Sequence, residues 1–115
     1  TLRPKHLLLV CAGTFEAAAF EDLFAAGALV DLLQPLSDPA ELSDSAQVVW
    51  RARREINDNL DALVQCSLNA RRLLANPDLA PDVPLCLSRD SIQLNASLLK
   101  DGSVRAMRGF GVKLA

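Results

Sequence analysis

The sequence lacks a basic excess. Twelve lysines and arginines stand against fourteen aspartates and glutamates, for a formal charge of −2. A chain of this balance has no electrostatic footprint for nucleic acid, which is excluded as an expected partner. Cysteine is scarce and odd in number: Cys11, Cys66 and Cys86 share no paired spacing, which argues against a disulfide framework. There is no CxxC or HxxxH, and the single histidine, His6, completes no zinc pattern. The three thiols are therefore expected as small buried hydrophobes in a reducing compartment. No apolar run approaches the ~18 residues of a membrane span. The run after residues 1–5 is only Leu7–Val10, too short for a signal peptide. The expectation is a soluble, cytoplasmic chain with no membrane partner, no internal repeat and no low-complexity tract.

What is present is a single α/β domain's worth of sequence. The 115 residues suit one domain, 1–115, and apolar residues at 50% suffice for a core. His6–Cys11 is a continuous apolar run bounded by Pro4-Lys5 and by Gly13. Such a run reads as a strand buried on both faces, as in a mainly parallel sheet covered by helices. It leads through Ala12-Gly13-Thr14 into a helix over about 18–34, with Glu21 and Asp22 in its first turn. Phe20, Leu23, Phe24, Gly27 and Val30 recur at helical spacing, and Leu29 and Leu33 form a neighbouring stripe. A helix apolar almost all round is expected to pack on more than one side, with sheet on one face and a second helix or subunit on the other.

After a loop at Leu36–Pro39, the periodicity predicts one long surface helix over about 44–65, capped by Ser43 or Asp44. Arg51–Glu55 and Arg54–Asp58 are spaced for exposed pairs, and the arginine cluster reads as a solvated face. Ser67 is placed to cap a shorter helix that carries Arg71 and Arg72 and ends before Asn76-Pro77. Val83, Leu85 and Leu87 read as a short buried turn between prolines. Leu94–Lys100, Asp101-Gly102 and Ser103–Met107 read as a β-hairpin with a two-residue type I′ turn. The tail Arg108–Ala115 reads as loose. The fold class is thus α/β, a mixed and largely parallel sheet flanked by helices, with a C-terminal hairpin.

Chemistry is expected where the first strand ends. In α/β proteins ligands bind outside the carboxyl ends of the strands. Gly13 allows close backbone approach, Thr14 adds a hydroxyl, and free N–H groups at a helix start favour an anion. The stretch is neither GxxxxGK[ST] nor GxGxxG. Glu21 and Asp22 complement the helix dipole on a structural reading. On a functional one, they are oxygen ligands for Mg²⁺ beside a phosphate-sized pocket. Neighbours on a helix point about 100° apart, so both need not reach one ion. Arg71 and Arg72 match the geometry of phosphate or sulfonate oxygens, and Asp90 is a further candidate acid.

Taken together, Cys11-Ala-Gly-Thr14, Glu21-Asp22 and Ala25-Ala26-Gly27-Ala28 resemble the 2-phosphosulfolactate phosphatase family. Ser67 with Arg71, and Asp82-Val83 with Cys86 and Asp90, are softer matches, and order and spacing agree over about residues 7–102. The resemblance implies an α/β fold and Mg²⁺-dependent hydrolysis of a small anionic phosphoester, the namesake being 2-phosphosulfolactate on the route to coenzyme M. It implies that Gly13 and Thr14 cradle phosphate. It further implies that Glu21 and Asp22 act as metal ligands or catalytic acid and base, and that Arg71 joins the substrate site. The chain has Glu16 where members usually have glycine, Ala18-Ala19 where they have Phe-Ser, and Ala70 where glycine is usual. Members are about twice as long, so the sequence reads as the C-terminal part of such a protein, with an N-terminal domain or a second copy as possible partners. The alternative expectation is a catalytically silent binding or assembly module that retains the scaffold.

Overall fold

The computed structural model describes residues 5–36, 38–89 and 91–107. Asp90 and the tail from Arg108 lie outside the described residues.

Among the described residues five α-helices and one hairpin follow one another: α1 Phe20–Leu33, α2 Asp44–Ile56, α3 Leu60–Cys66, α4 Leu68–Leu74, α5 Asp82–Leu87, then β1 Asn95–Leu98 and β2 Val104–Met107. The crossing of α1 on α2 is the centre of the packing. It depends on Gly27, where an added Cβ would lie 2.3 Å from the Val49 carbonyl oxygen and 2.7 Å from Arg53 Cβ. The missing side chain lets the two backbones meet. Phe24, Ala26 and Val30 of α1 are buried there with Ala19, while Leu63 of α3 and Val83 of α5 are buried further along. Trp50 Nε1 donates to Asp31 Oδ1 at 2.7 Å and ties the same two helices at the rim.

The parallel sheet expected from the first apolar run is not formed among the described residues. Residues 6–13 belong to no strand, and Leu7, Leu8 and Val10 are 59%, 83% and 82% exposed. A run of apolar residues states a demand for burial, but a strand also needs a neighbouring strand to accept its ladder. The only ladder among the described residues is the hairpin, with Asn95 opposite Met107 and Leu98 opposite Val104. The hairpin was legible, but its turn is longer than expected. Gly102 N–H donates to the Leu99 carbonyl at 3.0 Å, Leu99 N–H donates to Ser103 at 2.9 Å, and Gly102 has φ +81°. Lys100, Asp101 and Gly102 thus form a three-residue loop with glycine in the left-handed position.

Three further expectations are corrected. The long helix over 44–65 is two helices, because Asn57 ends α2 at φ +53° and the Asn59 side chain caps α3 by accepting from Ala62 N–H. Asn57, with ψ −128° as well, leaves the helical region altogether, and asparagine is a preferred N-cap at position 59. Within the arginine cluster, Arg53 is buried with its guanidinium 4.9 Å from the Phe24 ring centroid. It pairs with Asp58 at 2.9 Å, where Arg54 had been the expected partner; Arg89 reaches the same Asp58 oxygen at 2.7 Å. The three cysteines are free but exposed. They sit before α1, at the end of α3 and on the outer face of α5, and none reaches the small core. The α1 helix is covered by α2 on one side, while Leu29 and Leu32 on its other stripe stay open. No helix among the described residues is long and apolar enough to cross a membrane.

Candidate active site

The loop before α1, the first turn of α1 and the first turn of α4 converge on one cavity. The loop is shaped by backbone chemistry. Gly13 has φ +71°, and a Cβ there would lie 2.6 Å from the Ala17 carbonyl oxygen. Thr14 and Ala17 then exchange two main-chain hydrogen bonds, at 2.9 and 3.0 Å. Between them Phe15 and Glu16 have φ +49° and +61°, the two left-handed residues that a type I′ turn demands. A left-handed backbone of this kind favours a residue without Cβ, so Glu16 occupies a position suited to glycine.

The two acids of α1 take different directions, as the 100° helical step implies. Asp22 turns back to the loop, where its Oδ2 accepts from Gly13 N–H at 2.7 Å. Glu21 reaches forward to α4. Its Oε2 accepts from Ser67 Oγ at 2.7 Å, and its Oε1 accepts from Asn69 Nδ2 at 2.6 Å. The same Asn69 nitrogen donates to Thr14 Oγ1 at 2.8 Å. Ser67, 1% exposed, also caps α4 by accepting from Ala70 N–H at 3.0 Å. Partial burial works against the charge on Glu21, but the bonds from Asn69 and Ser67, with the local backbone, outweigh it and hold the carboxyl below its usual range. Glu21 is thus a fixed carboxylate and a poor proton acceptor near neutrality.

The cavity has a volume of about 160 Å³. Thr14, Glu21, Asn69 and Arg72 give it polar groups, and Phe15, Phe20, Leu68, Ala17 and Ala18 form the rest of its wall. Of the residues singled out from sequence, Thr14 and Glu21 line it, Gly13 shapes its loop, and Asp22 braces that loop from behind. Arg71 does not line it: its guanidinium donates to the Gln65 carbonyl at the end of α3. The neighbouring Arg72 lines the cavity instead. Asn69 is not singled out by the sequence, and Ser67 enters there as a cap and as a soft family match with Arg71, with no role toward Glu21. The available signal was helical spacing, since residues 68, 69 and 72 share one face of α4. Which face meets α1 is decided by packing.

Among the described residues no group of three or more His, Cys, Asp or Glu side chains could hold a metal ion. The donor set still fits Mg²⁺ in one manner. This ion keeps several waters and is often held by one or two carboxylates together with substrate phosphate oxygens. Each Glu21 oxygen accepts one protein hydrogen bond and retains acceptor capacity, so Glu21 fits as a single protein ligand. Asp22, directed at Gly13, does not share that position.

A family model described as 2-phosphosulpholactate phosphatase matches residues 1–98. A protein of Caldanaerobacter subterraneus subsp. tengcongensis named "Probable 2-phosphosulfolactate phosphatase" is 29% identical over 106 residues, covering 92% of this chain and 43% of its own length. A Thermus thermophilus protein of the same name is 33% identical over 109 residues, covering 94% of this chain and 40% of its own length. The chain therefore spans about two-fifths of the curated relatives it matches. No solved structure matches it.

Proposed function

The chain belongs to the 2-phosphosulpholactate phosphatase family, and from that membership we propose that it carries part of an active site for Mg²⁺-dependent hydrolysis of a small anionic phosphoester such as 2-phosphosulfolactate. The observation that carries this reading is the convergence of Thr14, Glu21, Asn69 and Arg72 on one cavity. Thr14 offers a hydroxyl, Arg72 a charge complementary to phosphate or sulfonate oxygens, and Glu21 a carboxylate held ionised. When bound there, Mg²⁺ supplies neutralisation of charge developing on the phosphoryl oxygens. Asp22 supports the site through Gly13, keeping the loop against α1. Because Glu21 is held in its charged form by Ser67 and Asn69 and serves the ion in this reading, and Asp22 is directed at Gly13, the base that activates water is not among the groups that line this cavity.

The test is turnover by the full-length protein. Glu21→Ala is expected to abolish Mg²⁺-dependent phosphate release with an unchanged circular dichroism spectrum, and Asp22→Ala to lower it strongly. Normal turnover in both variants would sink the assignment. A second reading, a catalytically silent binding or assembly module, draws support from the partial coverage of the relatives and the exposed Leu7, Leu8 and Val10. Calorimetry separates the two, because a silent module shows no Mg²⁺-linked binding of inorganic phosphate.

A further inference from the structure

The hydrogen bonds around Asn69 admit one arrangement of protons. An asparagine amide can be turned either way round, and its partners decide which. Here one partner is the Glu21 carboxylate, which also accepts from Ser67. A reversed amide would set its carbonyl oxygen 2.6 Å from Glu21 Oε1, two acceptors in contact with no hydrogen between them. The NH₂ group must therefore face Glu21. It has two hydrogens, and two acceptors lie within reach: Glu21 Oε1 at 2.6 Å and Thr14 Oγ1 at 2.8 Å. Both hydrogens are used.

The consequence falls on Thr14. Its oxygen accepts from Asn69, so its own hydrogen is free to point away, and it meets no acceptor among the described residues. Thr14 lines the cavity with Arg72. We propose that Asn69 is a positioning residue that sets the proton polarity of this cavity, making the Thr14 hydroxyl a donor to an oxyanion of the bound phosphoester. The assignment rests on the phosphatase reading and deepens it: the cavity selects a ligand rich in acceptor oxygens and poor in donors. A hydroxyl hydrogen with no protein acceptor is satisfied by phosphate or sulfonate oxygens, whereas an ammonium or amide N–H group would leave it without a partner.

The experiment measures binding of inorganic phosphate to the full-length protein by calorimetry, with Mg²⁺ present, in a double-mutant cycle. Thr14→Val is expected to weaken phosphate about tenfold and Thr14→Ser to keep near-parental affinity, as removal or retention of one hydrogen bond to a charged group requires. Asn69→Ala is expected to weaken binding in the parent and to weaken it less on top of Thr14→Val, where only its bond to Glu21 is left to lose. Asn69→Asp keeps the shape but has acceptor oxygens to take the Thr14 hydrogen, and it should weaken phosphate by more than tenfold. Phosphate binding by Asn69→Asp equal to the parent's, or an Asn69→Ala effect undiminished in the Thr14→Val background, overturns the proposal. So does a parent protein that binds no phosphate. The phosphatase reading fails separately: if phosphate binding follows the expected cycle but the full-length protein hydrolyses no phosphoester, the donor assignment stands and the enzymatic one falls.

Discussion

Ser67 Oγ donates to Glu21 Oε2 at 2.7 Å across 46 positions of sequence, and the same oxygen caps α4. One buried hydroxyl thus begins a helix and fixes the carboxylate of the candidate site. The local geometry of α4 and the chemistry of α1 are joined at a single atom.

Ser67→Ala removes both bonds. Loss of an N-cap costs about 1 kcal/mol, and a hydrogen bond to a charged group about 1.5–3 kcal/mol, discounted here because Glu21 is only partly buried. A destabilisation of about 2 kcal/mol is expected from urea unfolding, with the slope unchanged. A change below about 0.5 kcal/mol would remove Ser67 from this double role.

Glu16 stands at φ +61°, where L side chains are strained by about 1–2 kcal/mol. Glu16→Gly should raise stability by several tenths to about 1 kcal/mol, the relief being offset in part by glycine's greater freedom in the unfolded chain. The midpoint of thermal unfolding should rise by a few degrees. An unchanged or lowered midpoint would show that the turn is not strained.

Gly27 bears the opposite expectation. A methyl group there would enter the space of the Val49 carbonyl and force α1 and α2 apart. Gly27→Ala should destabilise by about 1–3 kcal/mol, as overpacked cores do, despite alanine's better helix propensity. Denaturant midpoints for the two chains decide the point.

The folded-state pKa of Glu21 lies below its ordinary value of 4.5. The sign follows from linkage: the unfolded chain holds the proton more tightly, so acid favours unfolding. The contribution of Glu21 is therefore full above about pH 5 and is lost as pH falls through the depressed pKa. Unfolding free energies measured between about pH 7 and pH 3 should fall less steeply at the acid end in Glu21→Gln than in the parent. Parallel curves would mean that the bonds from Ser67 and Asn69 do not favour the charged form.

Local chemistry was well legible in the sequence. Ser67 as a cap, the α1 span with its two acids in the first turn, and the hairpin about Gly102 all follow from rules acting over a few residues. Long-range placement was not. Helical spacing sets Arg71 and Arg72 on different faces, yet only the docking of α4 on α1 decides which of them reaches Thr14. The apolar run at Leu7–Val10 reads as a strand buried on both faces, yet it is exposed and pairs with no strand among the described residues, because hydropathy states a demand for burial and not what meets it. The break at Asn57 escaped because the apolar positions keep their helical spacing across it. Arg53 was misplaced for a related reason: charge suggests solvent, whereas a guanidinium over Phe24 with Asp58 at its end can be accommodated inside.

The uncovered stretch from Leu7 to Val10 has one more consequence. A short, uncharged, β-prone run that pairs with no strand among the described residues is a template on which another chain can lay itself down. In concentrated solution these four residues would recruit their like, so yield and shelf life of the isolated segment should depend on them more than on the small core. Arg3 and Lys5, ahead of the run, are its charged gatekeepers. A single lysine placed at Leu8, which is 83% exposed, should suppress light scattering on concentration while leaving the α1–α2 crossing untouched.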